Sequence, residues 1–364
     1  MKIVLTGGGT GGHACPAASI AEALRAEMPD CGLLYVGSRG GPEAKLAAEA
    51  GIPFSGLTTR SLGRLFSLGM IPTAAAFGKG FMEALSILRR FEPELVIGTG
   101  GYAAAPVVLA QVLRGGRTVI HEQNTVPGRT NRWLGRFASA ICVTFEDSMR
   151  YFPPGKTVVT GLPIRSQILN APGKAEARSA LGLDPDTFTI LVLGGSQGAR
   201  RVNQAVAEAL QALSRLPVQV FHQAGERNFR EAEEGAKALA WDGYHLCAYV
   251  DDMGLAYGAA DLAVSRCGAS TIAEITAVGL PAILVPYPYA YADHQRLNAE
   301  FVSRNGAGII VSDSELTGGI LTDTIGRLLN SPEEIRKMGE ASRKLGRPNA
   351  ARDVVAVALG KSDA

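Results

Sequence analysis

Cysteine is scarce in this chain, and its spacing offers no framework. Cys15, Cys31, Cys142, Cys247 and Cys267 are odd in number, and no two form C-x-x-C. That argues against a disulfide scaffold or a cysteine zinc site and suits a reducing cytoplasm. Charge of one sign is also lacking. The 36 Lys and Arg stand against 34 Asp and Glu, a net +2, which gives no ground for a nucleic-acid partner. The excess is unevenly spread: residues 1–163 hold 16 Lys and Arg and 11 Asp and Glu, net +5, while the rest hold 20 and 23, net −3. A mildly basic first half suits an anionic surface or substrate. Unbroken apolar runs are missing as well. Residues 95–113 and 275–292 are uncharged over a spanning length, yet Gly and Pro interrupt both. Each reads as a buried parallel strand running into a buried helix, so no transmembrane segment is expected. The opening MKIVLTGGG has one lysine and too short an apolar stretch for a signal peptide.

Glycine is what the chain has in quantity, 44 residues of 364, clustered at the ends of β-rich runs. KIVLT, LLYVG, ELVIGTG, TVIHE and AICVT read as strands in the first half. TILVLGG, VQVFHQ, YHLCAYV, DLAVS and PAILVP do so in the second. Amphipathic stretches such as ARRVNQAVAEALQALSRL lie between them. Alternating β and α predicts parallel sheets with right-handed crossovers. The length exceeds what one hydrophobic core usually holds, and the halves open alike, with IVLTGGGTGGH and ILVLGGSQGAR. The predicted fold class is α/β, with two Rossmann-like domains whose parallel sheets face a central cleft. Gly161 and Pro163 interrupt the pattern in TGLPIRSQIL, residues 160–169. The expected domains are therefore 1–163 and 164–344, with a last helix at about 345–364 packing back on the first.

Several motifs compete. Gly7, Gly9 and Gly12 spell G-x-G-x-x-G, the dinucleotide fingerprint. That reading needs a carboxylate at the end of the second strand to hold a ribose, and LLYVGSRGG ends in Gly37, Ser38 and Arg39 instead. The arginine leaves NADP open. A P-loop fails, because no Gly-Lys-Ser/Thr follows the glycines. Gly194, Ser196 and Gly198 spell G-x-S-x-G, and Asp261 and His294 follow in order, so a hydrolase elbow stays a minor alternative. Asp184 and Asp186 form Asp-x-Asp, but ahead of the strand TILVLGG and so at the wrong end of a sheet. A solvated turn is expected there, and no metal site.

Three glycine turns, Gly7–Gly12, Thr99–Gly101 and Gly194–Gly198, end strands and open helices. One such turn alone reads equally well as a tight turn that only packs a helix on a sheet. Three at equivalent strand ends suit phosphate held by backbone N–H groups and helix dipoles. Polar residues gather at the same ends: His121, Glu122, Gln123 and Asn124; Arg165; Arg266 to Thr271 with Glu274; and Asp293, His294, Gln295 and Asn298. Polar groups so placed are how α/β enzymes build sites, although Ser270 and Glu274 also fit a helix-opening pair.

GGGTGGH, GTGGY, HEQN, GGSQGAR, GASTIAE and DHQ-x-x-NA occur in this order across nearly the whole chain. In that ordered set the chain resembles the UDP-N-acetylglucosamine–N-acetylmuramyl-(pentapeptide) pyrophosphoryl-undecaprenol N-acetylglucosaminyltransferase family of peptidoglycan synthesis. The resemblance implies the GT-B glycosyltransferase fold and no cofactor. It implies inverting transfer of N-acetylglucosamine from UDP-N-acetylglucosamine to the 4-hydroxyl of the muramyl sugar of lipid I, giving lipid II. A UDP-N-acetylglucosamine 2-epimerase or an NADP-dependent oxidoreductase is the alternative. By matching motifs, His13 is the candidate base, or else orients a phosphate or the acceptor. Glu274 is the ribose ligand, Ser196 and Arg165 serve the diphosphate, and the backbone near Val250 holds uracil. Asn124 and Gln295 read the sugar. Thr10, Gly11 and Gly12 approach phosphate, and Ala269, Ser270 and Thr271 belong to the same UDP-sugar site. Tyr102, His121 and Glu122 fall on the acceptor side. Cys15 stands where larger apolar residues are expected, and His294 where some relatives carry Gln.

The stretch 60–90 is cationic and apolar together. Arg60, Arg64, Lys79, Arg89 and Arg90 flank Leu65, Phe66, Leu68, Met70, Ile71, Phe77 and Phe81. That composition suits an anionic membrane surface, although part of it is expected to face the core. The expected setting is the cytoplasmic face of the inner membrane, with lipid I and other cell-wall synthesis proteins as partners.

Overall fold

The strands are short, apolar on both faces and parallel, as strands covered by helices on either side must be. The computed structural model describes residues 1–8, 11–59, 70–195, 198–237, 239 and 241–361, with backbone alone at 11 and 70–74. Two units emerge: Met1–Arg165 with Pro348–Ala364, and Ser166–Arg347. In the first unit the strands are β1 (Lys2–Thr6), β2 (Gly32–Ser38), β3 (Phe54–Leu57), β4 (Leu95–Gly98), β5 (Arg117–Glu122), β6 (Ala140–Val143) and β7 (Thr157–Val159). In the second they are β8 (Phe188–Leu193), β9 (Val218–Gln223), β10 (Tyr244–Cys247), β11 (Leu262–Ser265), β12 (Ala282–Leu284) and β13 (Gly308–Ile310). Among the described residues the first sheet has the order β3-β2-β1-β4-β5-β6-β7 and the second β10-β9-β8-β11-β12-β13. Each order reverses direction once, between β1 and β4 and between β8 and β11, and such switch points are where open α/β sheets bind ligands.

The two-residue period of the strands divides the first core. Ile3, Leu5, Leu95, Ile97 and Cys142 pack on one face. Val4, Val96, Ile120, Ile141 and Val143 pack on the other. The helix Ala350–Leu359 covers the first of these faces and buries Val354, Val355, Val357 and Ala358 among Ile3, Leu5, Ala17 and Leu24. Arg117 holds its end, donating from Nε to the Ala358 carbonyl at 2.8 Å and from Nη2 to that of Val357 at 3.0 Å. In the second unit the helix Arg200–Leu213 lays Val202, Ala205, Val206, Ala209 and Leu213 against Ile190, Val192, Val220 and Val264.

Candidate active site

In the first unit the ends of β1 and β4 are joined backbone to backbone. Thr99 N–H donates to the Thr6 carbonyl at 2.8 Å, and Gly8 N–H to that of Gly100 at 3.2 Å. Gly101 has φ +80°, and a Cβ there would overlap the Gly8 carbonyl oxygen. The two turns therefore approach as closely as glycine permits. His13 lies in the first turn of the helix Gly11–Glu27, half-buried beside them. Its Nδ1 lies 3.1 Å from the Thr99 carbonyl oxygen and 3.1 Å from Gln123 Oε1. Gln123 is itself oriented, since its Nε2 donates to the Thr99 carbonyl at 2.5 Å and to that of His121 at 3.3 Å. Both neighbours of Nδ1 are acceptors, which assigns the proton to Nδ1 and makes Nε2 the basic nitrogen. Thr99 Oγ1 completes the junction by donating to the His13 carbonyl at 2.6 Å.

His121 and Glu122 are buried and turned inward. His121 Nε2 donates to the Gly161 carbonyl at 2.8 Å, and burial first of all holds its pKa down at about 4. Glu122 accepts from Asn124 N–H at 2.9 Å, Gly128 N–H at 3.1 Å and Asn131 Nδ2 at 3.0 Å. Burial outweighs these donors and pushes its pKa up to about 7. The pair thus shapes the loop that carries Gln123 and half-buried Asn124. Tyr102 follows Gly101 and is half-buried, as is Arg165 at the end of the unit; Gly12 is exposed. Thr10 lies outside the described residues, and Gly11 is seen as backbone only, as the first residue of its helix.

One side chain had no sequence signal. Glu43 is fully buried and accepts from Ser38 N–H at 2.7 Å. A Cβ on Gly8, Gly37 or Gly41 would run into its side chain. A carboxylate does therefore sit at the end of β2, but the glycine turns enclose it. It reaches that place from the helix Glu43–Glu49, five residues beyond the strand.

In the second unit the turn after β8 closes with Gly198 N–H donating to the Gly195 carbonyl at 2.9 Å. A Cβ at Gly198 would overlap the Ala224 carbonyl oxygen and Asn228 Nδ2. The helix Arg200–Leu213 then starts from Ala199 with no side-chain cap. Ser196, between these glycines, lies outside the described residues. After β11 the helix Ala269–Val278 starts from Gly268, again with no side-chain cap. Both helices thus open at switch-point strands with first-turn N–H groups that no cap side chain takes up, a setting that favours an anion. Ser270 is a helical residue rather than the cap, so it forms no capping pair with Glu274. Ala269 is buried; Ser270, Thr271 and Glu274 are half-buried, and Tyr257 donates to Glu274 Oε2 at 2.9 Å.

Gln295 stands in the first turn of the helix His294–Arg304. Its Oε1 accepts from Cys267 N–H at 3.1 Å and from Tyr287 N–H at 3.0 Å. That fixes the amide and directs its N–H₂ as the group to be offered. Val250 is buried just before Asp252, whose side chain caps the helix Met253–Ala259 by accepting from Gly254 N–H at 2.8 Å.

The hydrolase alternative fails on topology. Asp261 precedes β11 and pairs with Lys174 and Arg178, whereas Gly194 and Gly195 follow β8. In parallel strands these are opposite ends of the sheet. His294 Nδ1 is occupied by the Tyr291 carbonyl at 2.8 Å. Asp184 Oδ1 accepts from Asp186 N–H at 2.8 Å and Thr187 N–H at 3.1 Å, closing a turn ahead of β8.

Two parallel α/β sheets, each with a glycine turn running into a helix at its switch point, have the architecture of GT-B-type glycosyltransferases. Residues 3–143 match the glycosyltransferase family 28 N-terminal domain, and residues 189–354 match the family 28 C-terminal domain. The chain belongs to glycosyltransferase family 28. It is 44% identical, over 99% of both chains, to the UDP-N-acetylglucosamine–N-acetylmuramyl-(pentapeptide) pyrophosphoryl-undecaprenol N-acetylglucosamine transferase of Desulfitobacterium hafniense strain Y51. Among solved structures it is similar to MurG of Acinetobacter baumannii, with TM-score 0.80 and 29% identity over 99% of both chains. A UDP-N-acetylglucosamine 2-epimerase from Listeria monocytogenes, at TM-score 0.71 and 16% identity over 100% of this chain and 97% of that one, shares the fold.

Proposed function

We propose that this chain transfers N-acetylglucosamine from UDP-N-acetylglucosamine to the 4-hydroxyl of the muramyl sugar of lipid I, forming lipid II for peptidoglycan synthesis. The observation that carries the reading is the likeness along the whole chain to transferases of that name. The epimerase has only a likeness of fold in its favour. The NADP reading is weakened by Glu43, whose buried side chain fills the space at the end of β2 and against the first glycine turn.

Inversion needs one displacement: the acceptor oxygen attacks the anomeric carbon, the bond to UDP breaks, and the hydroxyl proton goes to a base. His13 takes that proton on Nε2, because Thr99 and Gln123 hold the other proton on Nδ1. Such a base is worth ~10²–10⁴-fold in rate. The departing diphosphate is stabilised by the N-termini of the helices Arg200–Leu213 and Ala269–Val278, with Ser196 and Arg165, as developing charge is met by fixed donors elsewhere. Glu274 accepts from the ribose hydroxyls, and backbone near Val250 holds uracil. Asn124 and Gln295 contact the sugar, Gln295 as a donor. Thr10, Gly11 and Gly12 approach phosphate, and Tyr102 lines the acceptor side. His121 and Glu122 act on the acceptor side indirectly, by holding the loop of Gln123 and Asn124. The test is transfer of labelled N-acetylglucosamine to a lipid I analogue by wild type, His13→Ala and Glu274→Ala. Absence of transfer by wild type would overturn the function; a full rate in His13→Ala would overturn only the base.

Membrane association belongs to the same proposal. Among the described residues no helix is long and apolar enough to cross a membrane. The helix Met70–Phe91 exposes Phe77, Lys79, Met82, Arg89 and Arg90, while Ala84, Ile87 and Leu88 are core and Phe81 packs against it. Arg60, Arg64, Leu65, Phe66 and Leu68 lie outside the described residues, as do the side chains of Met70 and Ile71. This face meets the anionic cytoplasmic leaflet, where other cell-wall synthesis proteins are partners. Reversing charge at Arg64 and Lys79 should weaken sedimentation with anionic vesicles, and unchanged sedimentation would sink the claim.

A further inference from the structure

Tyr257 is 3% exposed, and its ring is part of the second unit's interior. Its hydroxyl is not spent on the core. It donates at 2.9 Å to Glu274 Oε2, joining the helix Met253–Ala259 to the half-buried carboxylate on the helix Ala269–Val278. The helix that carries Tyr257 begins three residues beyond Val250 and is pinned there by Asp252, which accepts from both Gly254 and Leu255 N–H. One short rigid element therefore links the backbone assigned to the base with the side chain assigned to the ribose. A glutamate has three rotatable bonds, so a carboxylate at the edge of a site samples many orientations unless something fixes it. A buried phenol does so at little entropic cost, because its ring is already immobile.

We propose that Tyr257 is a positioning residue for donor recognition. Its hydroxyl fixes Glu274 so that the carboxylate accepts from both ribose hydroxyls at once, and it thereby sets the preference of the enzyme for a ribonucleotide over a 2′-deoxyribonucleotide sugar donor. The inference rests on the reading of Glu274 as the ribose ligand. Tyr257→Phe keeps the ring and removes only the oxygen. With UDP-N-acetylglucosamine it raises KM about tenfold, the worth of one hydrogen bond to a charged group, with kcat little changed. With 2′-deoxy-UDP-N-acetylglucosamine KM stays within about twofold of wild type, so the preference between donors falls.

The experiment measures both donors with wild type, Tyr257→Phe, Glu274→Gln and the double variant, at saturating lipid I analogue. Less-than-additive loss in the double variant supports the coupling. An equal KM rise on both donors marks a packing role for Tyr257 and overturns the proposal, as does full additivity. If Glu274→Gln leaves the preference for the ribose donor intact, the ribose reading of Glu274 falls first. If Glu274→Gln abolishes that preference while Tyr257→Phe retains it, only the role of Tyr257 falls.

Discussion

Glu43 shows how much one carboxylate can do from a fully buried position. It takes up the Ser38 N–H and fills the space left by three glycines. Glu43→Ala strands that N–H in a void and should cost about 1–3 kcal/mol of stability, the usual penalty for an unsatisfied buried donor. Urea unfolding reads it, and a loss under ~0.5 kcal/mol, as for an ordinary surface change, would refute it. No sequence pattern announced Glu43, because its chemistry depends on a turn that folds Pro42 and Glu43 back on β2. His222 belongs to the same scale. Buried between Tyr244 Oη at 2.8 Å and Asn203 Oδ1 at 3.0 Å, it has its pKa lowered to about 3 by burial. An imidazole kept neutral in the fold but protonated when unfolded makes stability fall as pH drops from about 6.5 toward 3. His121, held at about 4 by burial, acts in the same direction, and Glu122, raised to about 7, opposes it, favouring the fold more at pH 5 than at pH 7. His222→Gln should therefore flatten the loss of stability between pH 6.5 and pH 4, measured by urea titration at each pH. An unchanged slope would remove His222 as its source.

At the scale of elements, the turns matter more than the strands they end. Gly101 and Gly40 share a positive φ, +80° and +81°, but Gly40 has open space where Gly101 meets the Gly8 carbonyl. Gly40→Ala should cost only conformational strain, about 1 kcal/mol. Gly101→Ala must also push apart the ends of β1 and β4, so it should cost severalfold more and abolish transfer. Parallel unfolding and activity measurements compare the two, and equal costs would refute the close approach. Ten strands were legible from β-rich runs with glycine at their ends. The three that were not, β3, β7 and β13, have three or four residues each and lie at sheet edges. Length alone does not separate them, since β12 is as short and was legible; β3, β7 and β13 are mostly half-buried at the rims of their sheets, so their runs carry less apolar pattern and pairing with a neighbour makes them strands. The cationic and apolar composition of 60–90 was legible too, but which side chains of the helix Met70–Phe91 belong to the core was not, because that depends on the sheet beneath.

For the molecule as a whole, the last helix carries a consequence for folding. Deleting 348–364 removes Val354, Val355, Val357 and Ala358 from the first core and leaves Arg117 without its two carbonyl acceptors. Losing three buried valines should destabilise the first unit by roughly 5 kcal/mol or more. The second unit, Ser166–Arg347, keeps all its own strands. Calorimetry of the truncated chain should show a first-unit transition lowered or lost and a second-unit transition retained, still raised by UDP. A single unshifted transition would refute the division of labour.

The chain's own pattern determined its class. Alternating apolar strands and amphipathic helices, with glycine at the strand ends, are local properties, and they dictate parallel sheets in two similar halves. The polar residues at those ends were equally visible, His13, HEQN, Arg266 to Glu274 and Gln295 among them. Only the tertiary structure decided what each one touches: Gln123 against His13 across 110 positions, Arg117 against the last helix across 241, Tyr257 on Glu274, and Asp261 at the far end of its sheet from Gly195. The physical reason is the range of the forces involved. Backbone geometry and hydrophobic period act over a few residues, whereas strand order and the burial of each hydrogen-bonding group follow from packing the whole sheet at once.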